Sequence, residues 1–177
     1  MTVPLVSIAI PAYGHADFIE QTLASVYDQT YPELELVVID DGSPDETFEV
    51  ARRYLEPRRG RFRRLILERG QNRGVSANSN ACIAACQGEW VHLLGSDDVL
   101  YPNKVARIQA AIDAWHCDDL ALVHADVDYI NEDGGRIERP HTPLSPASFM
   151  SKYPAGESRI ARRGRKAPFF LPASPAA

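Results

Sequence analysis

The chain has 177 residues, 45% of them hydrophobic and 24% charged, which is the composition of a soluble globular protein with room for a buried core. Nineteen Lys/Arg against 24 Asp/Glu give a net charge of -5, and this disfavours a general nucleic-acid partner. No apolar run reaches 18 residues, so no transmembrane helix is expected. The N-terminus lacks a basic n-region, so no signal peptide is expected either.

The charge is unevenly placed. The first 150 residues carry 13 Lys/Arg and 23 Asp/Glu, whereas the last 27 carry six Lys/Arg and one acid, Glu157. The three cysteines, Cys82, Cys86 and Cys117, form no CxxC pair. Cys82 and Cys86 lie four apart on an expected helix, which suits buried small hydrophobes in a reducing, cytoplasmic setting. His116 and Cys117 alone do not make a zinc site, which needs four ligands.

Leu5-Val-Ser-Ile-Ala-Ile10 is an apolar, partly β-branched run closed by Pro11, and it predicts a buried strand. From Asp17 to Gln29, apolar residues at Phe18, Ile19, Leu23, Val26 and Tyr27 trace a helical stripe. Leu34 to Ile39 is a second strand, followed by Asp40-Asp41-Gly42-Ser43. Ser43-Pro44-Asp45-Glu46 has the form of a helix start, with Ser as cap and Pro at the first position, and predicts a helix to about Leu55. Arg58 to Arg64 is expected to be a basic loop. A third strand is expected at Arg64–Leu67, a helix from Gly74 to Cys86, and a fourth strand from Glu89 to Leu94. Another helix runs from Tyr101-Pro102-Asn103 to about Trp115. A fifth strand, Leu120 to Asp126, precedes a hairpin-like turn at Asn131–Gly135.

Strands alternating with helices predict an α/β fold with a mostly parallel sheet flanked by helices. Ligands of such sheets bind at the carboxyl ends of the strands. The loops to inspect are therefore Pro11-Ala12-Tyr13, Asp40–Ser43, Gln71–Gly74 and Ser96-Asp97-Asp98.

Each of these loops has two readings. Asp97 and Asp98 are adjacent carboxylates, which repel unless a cation sits beside them; a hard divalent ion suits them, and so does a solvated turn. Tyr13 is either a face for a nucleobase or a rim tyrosine. Asp40 is either an acceptor for a base or ribose, or part of a capping turn with Asp41 and Ser43. Arg73 and the N–H groups before the next helix would meet an anion, or form a solvated loop. Asn78 either reaches the cleft or lies on a helix face. His92, inside a strand, is expected on a sheet face. Asp126 and Asp128 read better as hairpin support than as cleft residues. The sequence has no GxxxxGK[ST], no GxGxxG after the first strand and no GxSxG.

Taken together, Val6–Gly14, Phe18–Val26 with Gln29–Pro32, Leu34–Asp45, Asn72–Asn78 and Leu93–Asp98 resemble, in order, segments of the family 2 glycosyltransferases. The resemblance covers about Val3 to Asn131. It implies a Rossmann-like, nucleotide-diphospho-sugar transferase (GT-A) fold and a UDP- or dTDP-type sugar donor. It also implies inverting transfer to an acceptor hydroxyl with the help of Mg²⁺ or Mn²⁺. By the same resemblance Tyr13 stacks on the base, Pro11 and Ala12 give backbone contacts, and Asp40 binds the base edge. Arg73 assists at base or phosphate, Asn78 belongs to the donor site, Asp97 contacts sugar or ribose, and Asp98 ligates the metal. The expected acceptor is a glycan or lipid-linked glycan of the cell envelope, with peripheral membrane contact left open.

The chain departs from that pattern at Gly14, where Asn is usual, and at Ser79 after Asn78. Only 79 residues follow Asp98, and no residue presents itself as the general base. The expectation is a donor-binding domain over residues 1–140 and a Pro/Arg/Ala-rich segment over 141–177, as in a truncated or frameshifted member. The rival readings are a donor-binding module without turnover and, more remotely, a nucleotidyltransferase.

Overall fold

A computed structural model describes residues 3–115, 123, 128–131 and 134–137. The described residues fall into two units, divided after Trp115. In the first, β1 (Val6–Ala12), α1 (Ile19–Tyr27), β2 (Leu34–Asp40) and α2 (Thr47–Leu55) are followed by a 3₁₀ turn (Glu56–Arg61). Next come β3 (Arg64–Arg69), α3 (Val75–Ala85), β4 (Trp90–Leu93) and α4 (Lys104–Trp115). In the second unit, β5 (Tyr129–Ile130) and β6 (Arg136–Ile137) form an antiparallel hairpin. The expected Asn131–Gly135 turn closes it, with the Asn131 N–H donating to the Gly135 carbonyl at 2.8 Å.

The four strands of the first unit pair in parallel in the order β3-β2-β1-β4. Every residue of β2 is buried, as a parallel strand covered on both faces requires. Side chains alternate across the sheet. Ile8, Ile10, Leu36 and Val38 pack with Ile19, Leu23 and Val26 of α1 and with Val50 and Leu55 of α2. Ala9, Val37 and Ile39 face the other way, onto Cys82 of α3 and Cys86 just after it. Both cysteines are free and buried, and burial pushes the Cys82 thiol up to about 12. They act as small hydrophobes, as their spacing suggests. His92 is partly buried, and burial and the nearby Lys104 both lower its pKa.

A buried polar knot secures the end of the sheet remote from the cleft. Glu35, fully buried, accepts from the Ser7 hydroxyl, from Arg64, and from the Gln87 N–H at 2.7 Å. Arg64 also donates to the Ala85 carbonyl at 2.9 Å, and the Gly88 N–H donates to Ser7 Oγ at 2.8 Å. A Cβ on Gly88 would lie 2.5 Å from Ser7 Oγ and 2.7 Å from its backbone nitrogen, so no larger residue fits.

Three expectations are corrected. Pro11 does not end β1, which continues to Ala12. The Ala9 carbonyl accepts from Leu94 and the Ala12 carbonyl from Asp41, so odd positions turn their backbone groups toward β4. That strand stops opposite Ala9, so the missing N–H of Pro11 costs no ladder bond. The second correction is at α2, which begins at Thr47 rather than at Ser43-Pro44. The Ser43 hydroxyl is committed to Asp40, and Asp45 takes the Thr47 N–H at 3.0 Å instead. The third is the basic loop, which is a 3₁₀ turn with Pro57 at its start. Arg61 leaves this turn to bind the carbonyls of Tyr27, Gln29, Tyr31 and Pro32 at 2.7–3.2 Å. The expected strand at 120–126 falls almost wholly outside the described residues, and His116, Cys117, Asp126 and the segment 141–177 lie outside them altogether.

Candidate functional site

The order β3-β2-β1-β4 places a reversal between β1 and β4, because the chain moves outward through β2 and β3 and then returns to the other side of β1. Open α/β sheets bind ligands outside the carboxyl ends of the strands at such a reversal. The four loops picked out in the sequence lie at those ends.

On the β2 side, Tyr13 directly follows β1 with 46% of its surface exposed, so its ring is available to a planar partner. Ala12 and Pro11 precede it at the strand end, and the Ala12 carbonyl accepts from the Asp41 N–H at 2.8 Å. The Gly14 N–H donates to Ser43 Oγ at 3.0 Å. Asp40 is 1% exposed. Its carboxylate accepts from the Ser43 hydroxyl and, at 3.0 Å, from the Ser43 N–H, and Arg69 Nε lies 3.4 Å away. The Arg69 guanidinium also reaches the Ser43 carbonyl at 2.8 Å. Asp40 thus builds the turn that supports Tyr13.

Asp41 holds the next loop. Its two oxygens accept from the backbone N–H groups of Arg73 and Gly74, each at 2.9 Å. Those two amides are therefore not free for an anion, as the sequence had suggested. The Arg73 side chain is exposed above them. Gly42 has φ +69°, and a Cβ there would press to 3.1 Å on the Asn72 nitrogen and the Gly70 oxygen, so glycine is required where the two loops touch. Asn78 is buried, and its amide donates to the Ile39 carbonyl at 2.8 Å, tying α3 to the end of β2. Its Oδ1 has no partner among the described residues.

On the β4 side, the Asp98 N–H closes a turn onto the Gly95 carbonyl at 3.2 Å. The carboxylates of both aspartates fold back over Gly95. Asp98 Oδ2 and Asp97 Oδ1 lie 2.7 and 3.0 Å from the point where a Cβ would stand. Only a glycine leaves that space, and two acidic oxygens border it. This donor set fits a hard divalent cation. Among the described residues no three ligating side chains cluster, so the remaining ligands of an ion held here are waters or substrate oxygens, as is usual for Mg²⁺-type sites.

The acidic loop and the segment after it rest on Thr22 and Ser25 of α1 and on Gln29 just beyond its end. Thr22 donates to the Ser96 carbonyl at 3.0 Å, and Ser25 accepts from the Leu100 N–H at 3.0 Å. Gln29 donates to the Tyr101 carbonyl at 2.8 Å and accepts from the Val105 N–H at 3.1 Å. Sequence reasoning missed these residues, together with His15, Asp41 and Arg69. Thr22, Ser25 and Gln29 did leave a signal: polar residues at i, i+3 and i+7 beside the apolar face share one side of a helix. In the hairpin unit, Asp128 pairs with Arg136 at 2.6 Å, the support role expected of it.

The family model "Glycosyl transferase family 2" matches residues 7–173. The chain belongs to glycosyl transferase family 2. It is 34% identical over 136 residues to the chondroitin synthase of Escherichia coli, a match covering 76% of this chain and 19% of that one. Among solved structures it is similar to S. aureus TarS 1-349 in complex with UDP, with TM-score 0.57 and 28% identity, covering 64% of this chain and 33% of that one. It is also similar to the mannosyltransferase PcManGT from Pyrobaculum calidifontis in complex with GDP-Man and Mn²⁺, with TM-score 0.54 and 29% identity, covering 63% and 32%. The chain thus spans about a fifth of that synthase and a third of those structures. The α/β, GT-A-type sheet expected from the sequence is the fold found. Among the described residues, no helix is long and apolar enough to cross a membrane.

Proposed function

We propose that this chain carries the donor site of an inverting, metal-assisted glycosyltransferase that uses a nucleotide-diphosphate sugar. The observation that carries the reading is the convergence of Asp97 and Asp98 over Gly95, across the β1/β4 reversal from the exposed ring of Tyr13.

Tyr13 stacks on the base, with Pro11 and Ala12 beside it. Asp40 acts there through the Ser43 turn and Arg69, because its own oxygens are already engaged. Asp41 fixes the loop that presents Arg73 to base or phosphate, and Asn78 holds the helix behind that loop. Asp98 holds the metal, while Asp97 faces sugar or ribose. Mg²⁺ or Mn²⁺ bound there supplies Lewis-acid neutralisation of the departing diphosphate. The backbone of the turn after β1 cannot neutralise it instead, because the N–H groups of Gly14, His15 and Ala16 are held by Ser43, Thr47 and Asp45. UDP is the first nucleotide to test, since TarS was solved with it, with dTDP and GDP as comparisons. The acceptor is a glycan or lipid-linked glycan, and the free cysteines fit a cytoplasmic setting.

Inverting transfer requires a carboxylate to take the acceptor proton. Asp128 is engaged by Arg136, and the second reading is a donor-binding module without turnover. Titration of UDP, dTDP and GDP by calorimetry, with Mn²⁺ and then with EDTA, tests the donor site. Metal-dependent binding of one of them is expected, and no binding by folded protein in either condition contradicts it. Release of free sugar from the matching donor separates the first reading from the second.

A further inference from the structure

His15 belongs to none of the roles above, yet it lies between the two halves of the site. Its main chain is fixed: the N–H donates to Thr47 Oγ1 at 2.8 Å, between a Gly14 N–H held by Ser43 and an Ala16 N–H held by Asp45. Its ring stands edge-on to Phe18, with centroids 6.2 Å apart at 86°. Held this way, Nδ1 lies 2.7 Å from Ser96 Oγ and shares a hydrogen bond with it. Ser96 is buried, and Thr22 fixes its carbonyl from the other side. The same Nδ1 lies 3.8 Å from Asp97 Oδ1, too far for a hydrogen bond, so the contact to the acidic loop runs through Ser96.

We propose that His15 is a positioning residue: through Ser96 it ties the turn that carries Tyr13 to the acidic loop, and so fixes where the Asp97 and Asp98 carboxylates stand. Asp97 needs such a tie. Its side chain is 51% exposed and adjoins Asp98, whose like charge pushes it away when no cation lies between them. Ligand-bearing groups held by a second layer of hydrogen bonds lose affinity when that layer is cut, typically 10–100-fold for metal sites. The inference rests on the donor-site reading and adds a residue that couples its two sides.

The test compares His15→Ala, His15→Asn, His15→Gln and Ser96→Ala in the full chain, with UDP as the probe. The amide of Asn puts a polar atom where Nδ1 stands, whereas that of Gln lies one bond further out. His15→Ala is expected to lower UDP affinity in Mn²⁺ by about tenfold and to leave affinity in EDTA unchanged. His15→Asn restores most of the loss and His15→Gln does not. Ser96→Ala matches His15→Ala, and the double variant adds nothing further, as for two members of one link. Amide exchange over residues 95–98 is followed in the same proteins without nucleotide, and it quickens in His15→Ala. Unchanged metal-dependent affinity in His15→Ala, beside a wild type that binds, overturns the proposal alone. A wild type that binds none of UDP, dTDP and GDP overturns the donor reading instead. The exchange measurement then decides the link by itself: faster exchange upholds it and unchanged exchange overturns it.

Discussion

The carboxylate of Asp41 receives the backbone N–H of Arg73 at 2.9 Å. Its second oxygen takes the following N–H, of Gly74, so one side chain sets the height of the whole 70–74 loop over the sheet. Asp41→Asn presents an NH₂ to one of these two donors. The expected cost is about 1–3 kcal/mol for the unpaired amide, read by urea denaturation, together with weaker nucleotide binding as Arg73 loses its mounting. Wild-type stability and affinity in this variant would show that the loop holds itself.

Tyr13 makes the opposite prediction, affinity without stability. Its ring is about half exposed, so Tyr13→Ala should leave the midpoint of unfolding within about 0.5 kcal/mol of wild type. Loss of base stacking costs about 1–3 kcal/mol in binding. Tyr13→Phe keeps the face of the ring and should bind like wild type. Calorimetry on the two variants checks this.

Glu35 predicts acid sensitivity at the end of the sheet away from the cleft. Burial raises its pKa, but the Gln87 N–H, the Ser7 hydroxyl and Arg64 outweigh that effect, and the net shift is downward. A lowered carboxylate contributes stability that is present above its unfolded value, about 4.3. That stability is lost as pH falls through the lower folded value. Glu35→Gln should therefore flatten the dependence of stability on pH below about 4.3. At neutral pH it should destabilise by about 3 kcal/mol, the lower end for breaking a buried pair, because Arg64 is a third exposed and keeps some solvation. Denaturation midpoints from pH 3 to 7 on both proteins test the sign.

Arg61 spans four carbonyls at and beyond the C-terminal end of α1. A lysine keeps the charge and loses the planar fork. Arg61→Lys and Arg61→Ala should both lower stability, by about 1–3 kcal/mol, with alanine the worse. A lysine variant as stable as wild type would mean that charge alone suffices.

The sheet was legible in the sequence because β1 and β2 are mostly apolar runs, interrupted by Ser7 and Glu35, and α1 between them carries a clear stripe. Pro11 misled, since a proline at a point where the neighbouring strand has already stopped does not end a strand. Ser43-Pro44 misled too, because a serine that bonds back to Asp40 is unavailable as a helix cap, and only the tertiary contact decides between those partners. At the candidate site, the acidic pair and Tyr13 were singled out from their residue types at strand ends. Asp41 and His15 were not, because their partners are 32 and 81 residues away in sequence, beyond any local pattern. Asp40 had two readings, a ligand contact or part of a capping turn with Asp41 and Ser43; its oxygens are engaged by Ser43 and approached by Arg69, contacts that spacing alone does not reveal.

The donor site stands or falls with Asp97 and Asp98, folded over Gly95, as the place where a metal binds. UDP affinity with Mn²⁺ and with EDTA in wild type, Asp98→Ala and Gly95→Ala decides it. Gly95 has an ordinary backbone conformation, and the atoms nearest an added methyl would be those of the two carboxylates; these are side-chain ends that can be displaced, so the fold should hold while the cradle closes. Mn²⁺ should strengthen binding in wild type, and this gain should disappear in both variants, with affinity in EDTA unchanged. A gain from Mn²⁺ that survives in Asp98→Ala would refute the site and put the metal elsewhere.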